Sequence, residues 1–304
     1  MIKMKRFFPL LAVSLAAFLL LLRPQEAAGA VREGLSLCAG TVVPSLFPFF
    51  AAISLLLQLG AAEALGRLCA PVMQPLFRLR GECALPLLAG LLGGYPTGAK
   101  TAAELYAQGR ITRREAELLL GFCDNCGPAF LLGYVGAGVL GDAGAGLRLC
   151  LIHVLSALLT GLLLCRLCRD RGPALLSSSL PARTVSFPQA LTASVSSALT
   201  STLNICAFVV FFRVLTALPP VPLPPALSGA LEMVSALAAL PPGPGAFVPA
   251  AVITAWGGLS VHCQAMSLTA PAGLSFRWHW VGKTVQALLA AGLAVGMAGI
   301  HSFP

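Results

Sequence analysis

Apolar runs recur along nearly the whole chain, and they constrain its fold more than any other feature. Several are long enough to cross the hydrocarbon core of a bilayer, which takes about 20 residues per helix, for example Phe187 to Leu218. Only 10% of the 304 residues are charged, whereas roughly 25% is usual in soluble domains. We therefore predict an all-α polytopic protein, integral to the lipid bilayer, with no separate soluble domain.

Basic residues lie in short clusters between the apolar runs, a pattern that orients membrane proteins with Lys and Arg in the cytoplasm. The first run, Phe7 to Leu22, follows a basic cluster, so we expect a cytoplasmic N-terminus. A cleaved signal peptide is the alternative, but the many later spans favour an uncleaved helix. The net charge of +9 is thus explained by topology, and nucleic-acid binding is not expected.

Charged residues inside the predicted spans are rare. Of the 20 Lys and Arg residues, Lys100 and Arg213 fall within membrane segments. The others are assigned to loops or helix ends, including Lys283 before the last span. The aromatic and basic stretch Phe276 to Trp280 is interpreted as an interfacial anchor.

Four glycines, a proline and a lysine interrupt the apolar run from Leu87 to Leu105. Gly93 and Gly98 have the separation of a phosphate-binding loop, but Ala99 stands where that loop needs lysine, which argues against nucleotide hydrolysis. Basic clusters on both sides of the run favour the cytoplasm. We therefore predict a re-entrant hairpin that turns near Gly94 and faces a cavity, because broken backbone hydrogen bonds cannot face lipid. A Gly/Pro kink in an ordinary span is the alternative.

A second interruption follows. Thr112 and Glu115 have the spacing of a capping box, which predicts a helix start. The helix then reaches Asp124 and Asn125, a polar pair that is costly against lipid. Because Pro128 suits the first turn of a helix, we predict two half-helices that meet here in the middle of the membrane.

The pattern restarts in the second half of the chain. A long span is followed by an apolar segment, Ala226 to Leu240, that contains Glu232, and by a span, Phe247 to Ala270, that is broken at Gly257. Two such sets with opposite entry sides predict an inverted repeat. The predicted parts are an N-terminal transmembrane helix at 1–30, a first repeat at 31–170, a cytoplasmic basic loop at 171–185 and a second repeat at 186–304.

Four motifs together resemble the YlbJ-type sporulation integral membrane proteins, which carry a nucleoside-recognition or gate domain: Pro44 to Phe50, Gly94 to Lys100, Phe122 to Pro128 and Gly257 to Gln264. The resemblance extends over nearly the whole chain from about residue 30. It implies a core similar to that of concentrative nucleoside transporters, with opposed re-entrant hairpins and broken helices. It also implies a role in moving dipicolinate across the outer forespore membrane. Asp124 departs from the family, which tends to have asparagine there.

The predicted function is therefore secondary transport of a small anionic aromatic dicarboxylate, with a proton or sodium ion as the candidate coupling ion. Cations, helix N-termini and hydrogen-bonding groups at the interruptions suit such a substrate. We expect no cofactor and no metal site, since the two CxxC pairs lack the usual zinc spacing. The candidate substrate-binding residues are Gly94, Tyr95, Thr97, Lys100, Asp124, Asn125, Arg213, Glu232, Ser260, His262 and Gln264.

Other functions stay open at this point. A nucleoside or ion carrier of the gate type uses the same architecture, and a scaffold for spore-envelope assembly would need no transport at all. An enzyme is not expected, because no nucleophile or metal motif is present. The sequence is compatible with the bacterial cytoplasmic membrane or the outer forespore membrane, and with an oligomer.

Overall fold

The computed structural model describes residues 2–168, 186–221, 223–241 and 243–300. All regular secondary structure in these ranges is helical, which confirms the predicted all-α fold class for them. The predicted basic loop at 171–185 lies outside the described residues. Three of the described helices are long and apolar enough to cross a membrane, at Ala143–Leu167, Phe187–Ala217 and Arg277–Met297.

Helices of the first half begin and end where local chemistry favours a boundary. Pro24 lies in the first turn of a helix, where its missing N–H costs no hydrogen bond. Gly60 has a φ of +87°, which glycine adopts without strain. The elements are α1 Ile2–Leu22, α2 Pro24–Leu37, α3 Val43–Gln58, α4 Ala61–Phe77, α5 Ala84–Gly93, α6 Thr97–Ala107, α7 Arg113–Leu119 and α8 Ala143–Leu167, with π-helical segments at Cys38–Val42 and Phe130–Val139 and a 3-10 turn at Gly81–Cys83.

Helices of the second half alternate between long spans and short segments. The long helix α9 is followed by two helices of 7 and 6 residues. The elements are α9 Phe187–Ala217, α10 Pro225–Leu231, α11 Met233–Ala238, α12 Phe247–Trp256, α13 Gly258–Thr269 and α14 Arg277–Ile300, with 3-10 turns at Pro244–Ala246 and Ala270–Ala272.

Two sets of long helices frame the interior. α9 packs along α2 and α3, whereas α14 packs along α8 and α12. The short helices α5 and α6 pack against each other, and so do α10 and α11. Since α14 also contacts α7, it runs beside the stretch where the chain leaves α7.

The interruptions predicted at Gly94, at Asp124 and at Gly257 are confirmed as helix boundaries, and Glu232 lies at a fourth boundary. The chain leaves the helical state at Gly94 to Pro96, at Leu120 to Gly127, at Glu232 and at Gly257. The predicted capping box is also confirmed, because Thr112 accepts from the Glu115 N–H and Glu115 from the Thr112 N–H. α2 runs across the predicted boundary at residues 30 and 31. The domain boundaries, the inverted symmetry and the re-entrant path stay predictions.

Candidate functional site

The first interruption lies against the second through backbone contacts that only glycine allows. A Cβ atom at Gly90 or Gly98 would lie 1.7 or 2.0 Å from the main-chain oxygen of Cys123. A Cβ atom at Gly94 would lie 3.0 Å from the Gly127 nitrogen, and Gly94 has a φ of +84°. The hairpin of α5 and α6 therefore holds the unwound segment Leu120 to Gly127 at backbone distance.

One face of α14 hydrogen-bonds this unwound segment. His279 lies 3.0 Å from the Leu120 carbonyl, and Lys283 donates to the Asp124 carbonyl at 2.8 Å. Gln286 donates to the Asn125 side chain at 2.9 Å. The three α14 residues are separated by four and three positions and so share one helix face. His279 and Lys283 thus bind main-chain carbonyls that would accept backbone hydrogen bonds in an intact helix.

Lys283 is the centre of this arrangement. Its side chain is fully buried, at 0% exposure. Its ammonium donates to the Tyr95 hydroxyl at 2.8 Å, to the Asp124 main-chain oxygen at 2.8 Å and to Gln286 Oε1 at 2.7 Å. It also lies 4.7 Å from the centre of the Tyr95 ring. The three acceptors are uncharged, so they satisfy the hydrogen bonds of Lys283 without neutralising its charge.

Tyr95 connects the first interruption with the fourth. Its hydroxyl accepts from Lys283 and donates to the Thr254 carbonyl at 3.0 Å, with the Ala255 carbonyl at 3.3 Å. Both carbonyls lie at the end of α12, next to Gly257. A Cβ atom on Gly257 would lie 3.3 Å from the Tyr95 ring. The tyrosine ring therefore packs directly on the break between α12 and α13.

The backbone on either side of Glu232 connects the third interruption with the fourth. The carboxylate of Glu232 caps α11 by accepting from the N–H groups of Val234 and Ser235, at 2.8 and 2.7 Å. A Cβ atom at Gly258 would lie 3.2 Å from the Met233 nitrogen. The first interruption thus contacts the second and the fourth, and the fourth contacts the third, while polar groups of the first two bind Lys283.

Several predicted site residues meet at this centre. Tyr95, Asp124 and Asn125 touch Lys283 or Gln286, as described above. Asp124 Oδ1 accepts weakly from the Ala99 N–H at 3.4 Å. Neither Asp124 Oδ2 nor the Thr97 hydroxyl has a hydrogen-bond partner in the described part of the chain, and both atoms are buried.

The remaining predicted residues on α13 are buried but lie in other contacts. Gln264 donates to the Ser260 hydroxyl at 3.3 Å, so these two residues form a pair within one helix. His262 lies 2.8 Å from His279, between Nδ1 and Nε2. The interpretation of Phe276 to Trp280 as an interfacial anchor is therefore wrong for His279, which is fully buried in the described structure.

The two cations predicted within the membrane segments are bound to acids away from Lys283. Lys100 lies 2.6 Å from Glu104 and also donates to serines of α3 and α9. Arg213 lies 2.9 Å from Glu33 and donates to Ser235. These contacts do not test a role in substrate binding, but they show that each charge has an acidic partner.

Lys283 was missed because it follows Arg277 near the start of its span and was assigned to a helix end. The available signal was the spacing of His279, Lys283 and Gln286, which places three polar side chains on one face of an apolar helix. Within the described ranges, no group of three or more His, Cys, Asp or Glu side chains could hold a metal ion.

Residues 39–141 match the family model described as Gate, nucleoside recognition. This Gate region includes the first two interruptions, whereas Lys283 and the last two lie beyond it. The chain is also similar to the sporulation integral membrane protein YlbJ of Bacillus subtilis (strain 168), with 38% identity over 139 residues. The match covers 46% of this chain and 34% of the relative. No solved structure matches the chain.

These two matches confirm the predicted resemblance for part of the chain, whereas its extension over nearly the whole chain, including the motif Gly257 to Gln264, stays a prediction. Together with the apolar helices, they identify the chain as an integral membrane protein with a Gate region. The match therefore spans about a third of the length of that relative, 34%.

Proposed function

We propose that the protein is a secondary transporter of a small anionic aromatic dicarboxylate, with dipicolinate as the first candidate. The observation that carries this proposal is the fully buried ammonium of Lys283, held by uncharged oxygens where helix interruptions meet. An ionised group inside a membrane protein is costly and usually functional. A carboxylate bound beside Lys283 would supply the charge that its present partners lack.

The interruptions support alternating access. Discontinuous helices supply backbone groups to substrate sites of secondary transporters, and such sites lie between repeats. Here two interruptions precede α9 and two follow it. We propose that these halves are inverted repeats, that α5–α6 and α10–α11 are re-entrant hairpins, and that substrate binds between them.

The carboxylate of Asp124 would compete with an anionic substrate for the charge of Lys283. The main-chain oxygen of Asp124 accepts from Lys283, and its carboxylate belongs to the same centre. An ionised Asp124 would neutralise Lys283, whereas a protonated Asp124 would leave the ammonium charge to the substrate. Replacing the carboxyl with an amide, Asp124→Asn, should therefore strengthen the binding of dipicolinate.

The relative suggests where this transport takes place. The name of that relative describes an integral membrane protein of sporulation. We propose that this chain also acts during sporulation, in the cytoplasmic membrane or the outer forespore membrane, with its N-terminus in the cytoplasm. That orientation agrees with the basic cluster that precedes the first apolar run.

A nucleoside carrier is the second candidate function. The Gate region matches a family described by nucleoside recognition. The amide of Gln286 also donates to the amide of Asn125 at 2.9 Å, and amide groups are suited to the hydrogen-bonding edges of bases and sugars. On this alternative, Lys283 positions the amides and does not bind an anion.

Uptake by proteoliposomes separates the candidates. Wild-type protein is expected to take up labelled dipicolinate, with little competition from excess uridine. Lys283→Gln should weaken dipicolinate binding by at least about 30-fold, because truncation of a buried charged partner costs about 2 kcal/mol or more. Lys100→Gln is the matched control, since Glu104 already neutralises that lysine, and it should bind within about threefold of wild type.

Three results would contradict the proposal. Uridine uptake without dipicolinate uptake would favour the nucleoside carrier. Equal dipicolinate binding by wild type and Lys283→Gln would remove Lys283 from the site. A folded protein that moves neither compound would favour the envelope scaffold.

A further inference from the structure

Two buried histidines form a direct hydrogen bond beside the proposed site. His262 Nδ1 on α13 and His279 Nε2 on α14 are 2.8 Å apart, and both side chains are at 0% exposure. His279 Nδ1 lies 3.0 Å from the Leu120 carbonyl. Because a carbonyl only accepts, His279 Nδ1 carries a hydrogen and its Nε2 is the acceptor. His262 Nδ1 is then the donor, and His262 Nε2 presents a lone pair.

The lone pair on His262 Nε2 is the position at which the two neutral histidines would accept a proton. His262 Nε2 is buried and has no hydrogen-bond partner among the described residues. The indole Nε1 of Trp256 is also buried and without a partner there, and the two rings are 4.6 Å apart. The rings that carry this donor and this acceptor are therefore in contact. A water molecule that satisfies both would bring a proton to His262.

Burial of the His262 ring disfavours an imidazolium, but two of its contacts would stabilise one. Proton binding at Nε2 would turn the bond from Nδ1 to His279 into a charge-assisted one, which is stronger than a neutral bond. The ring also lies 4.6 Å from both Trp256 and Trp280, and indole rings attract cations. His279 acts as a positioning residue, since its bond to Leu120 keeps Nε2 directed at His262.

Lys283 opposes that proton. It lies four residues after His279 on α14, so the two side chains are neighbours on one face. The ammonium of Lys283 and an imidazolium would repel each other, and an anion bound at Lys283 would remove the repulsion. By linkage, a proton on the pair would strengthen anion binding by the same factor.

We propose that the pair His262–His279 binds the coupling proton at His262 Nε2, and that Lys283 links this proton to the bound anion. The linkage rests on the proposed function, whereas the proton site itself rests on the geometry of the pair. The transporter would then carry a proton together with its anionic substrate.

Other titratable groups near the pair bond elsewhere. The elements packed against α13 and α14 carry Lys100, Glu104, Arg113, Arg114, Glu115, Glu117, Arg148, His153, Arg166, Arg213 and, at the start of α11, Glu232. Arg114 donates to the Cys168 carbonyl, Glu115 pairs with Arg80, Arg148 pairs with Asp142, and Arg166 is exposed. Lys100 binds Glu104, Arg213 binds Glu33 and Glu117 binds Arg113. His153 accepts from the Cys126 N–H, and Glu232 caps α11. Lys283 and the carboxylate of Asp124 are therefore the charges through which the pair is linked to substrate.

Nuclear magnetic resonance of protein with labelled histidine tests the proton site without transport. Wild type should show an imidazolium signal that grows as the pH falls below about 6.5, the ordinary range of histidine, because burial and Lys283 both oppose the proton, and this signal should be missing in His262→Asn. Asparagine keeps a donor near the Nδ1 position and has no group that binds a proton at Nε2. If His262→Asn does not fold, His262→Gln serves in its place.

The same signal tests the role of Lys283. In Lys283→Gln it should appear at a higher pH than in wild type, because the repulsion is gone, and dipicolinate should increase it in wild type at constant pH. A His262 that stays neutral throughout this pH range in both wild type and Lys283→Gln would overturn the proton site. An imidazolium signal that Lys283→Gln leaves unmoved would overturn the link to Lys283.

Dipicolinate binding tests the coupling. Asp124→Asn serves as the background, so that any remaining pH dependence does not come from this carboxylate. Binding should strengthen by about tenfold per pH unit as the pH falls, which corresponds to one proton taken up per anion, and adding His262→Asn should abolish this slope. An unchanged slope would overturn the coupling. If wild type binds no dipicolinate but Lys283→Gln shifts the histidine signal, the proton site stands and the proposed function fails.

Discussion

Lys100 and Lys283 are both buried, but their ammonium groups are stabilised by different chemistry. Lys100 forms an ion pair with Glu104 at 2.6 Å and also donates to Ser54 and Ser197. Lys283 instead donates to a hydroxyl, a main-chain carbonyl and an amide oxygen. One lysine is neutralised by its neighbour, whereas the other is held in place with its charge uncompensated by its hydrogen-bond partners.

The difference shows what each lysine does in the fold. The ion pair of Lys100 ties α6 to α3 and α9, because its serine partners lie on those two helices. Lys283 joins interrupted segments to α14 through groups that cannot cancel its charge. Glu104 neutralises Lys100, whereas the neutral acceptors of Lys283 leave its charge uncompensated, as the proposed anion site requires.

The largest expected effect comes from disturbing the close contact between α14 and the unwound segment. A Cβ atom at Gly282 would lie 1.9 Å from the main-chain oxygen of Gly121. Gly282→Ala should therefore displace Lys283 and lower the free energy of unfolding in mild detergent by about 3 kcal/mol or more. Gly292→Ala on the same helix is the control, because a Cβ atom there meets nothing within 4 Å. Equal stability of the two variants would show that Lys283 does not need this contact.

Removing the charge of Lys100 should mainly affect stability. Lys100→Met leaves Glu104, which is 25% exposed, without its partner, and we expect the free energy of unfolding to fall by about 2 kcal/mol. Dipicolinate affinity should stay within about threefold of wild type. A second change, Glu104→Gln, should restore much of the stability. A large loss of affinity without a loss of stability would reverse the roles of the two lysines.

Tyr95→Phe should sharpen the description of the Lys283 centre. The change removes an acceptor of Lys283 and the donor to the Thr254 carbonyl, but it keeps the ring. Loss of these bonds costs about 1 to 1.5 kcal/mol, so dipicolinate affinity should fall by about five- to tenfold. Tyr106→Phe is the control, since Tyr106 packs in a cluster away from Lys283. An unchanged affinity in Tyr95→Phe would place the substrate outside this centre.

Arg213→Gln should have the smallest effect. Its ion pair with Glu33 is partly exposed, with the two side chains at 32% and 64%. Such pairs contribute less than about 1 kcal/mol, so unfolding and dipicolinate uptake should change little. Loss of uptake with normal stability would support the predicted role of Arg213 in substrate binding.

The interruptions could be predicted because their causes are local. Gly94 needs a positive φ, Pro128 suits a helix start, and Gly257 has a φ of +87° between two helices. Glycine permits a positive φ at little cost and proline fixes its own φ, so both residues are local signals of a helix boundary. The capping box at Thr112 was predictable for the same reason, since its hydrogen bonds join residues three positions apart.

The partners of the ionisable side chains could not be predicted in this way. Lys100 and Arg213 are the cations deepest in their apolar runs, yet the structure pairs each with an acid. Glu232 is bound to the backbone of its own helix start. Lys283 lies near the beginning of a span, where a lysine ordinarily reaches the interface, and His279 lies in an aromatic stretch typical of that interface.

The sequence by itself determined that this is a helical membrane protein and where its helices are interrupted, because hydropathy and backbone preference depend on each residue and its close neighbours. Only the tertiary structure decided which charge is held at the interruptions. The unwound segment and α14 are far apart in the chain, since Lys283 follows Asp124 by 159 positions. Their contact depends on the packing of glycine against glycine and on hydrogen bonds that exist only after the helices have assembled.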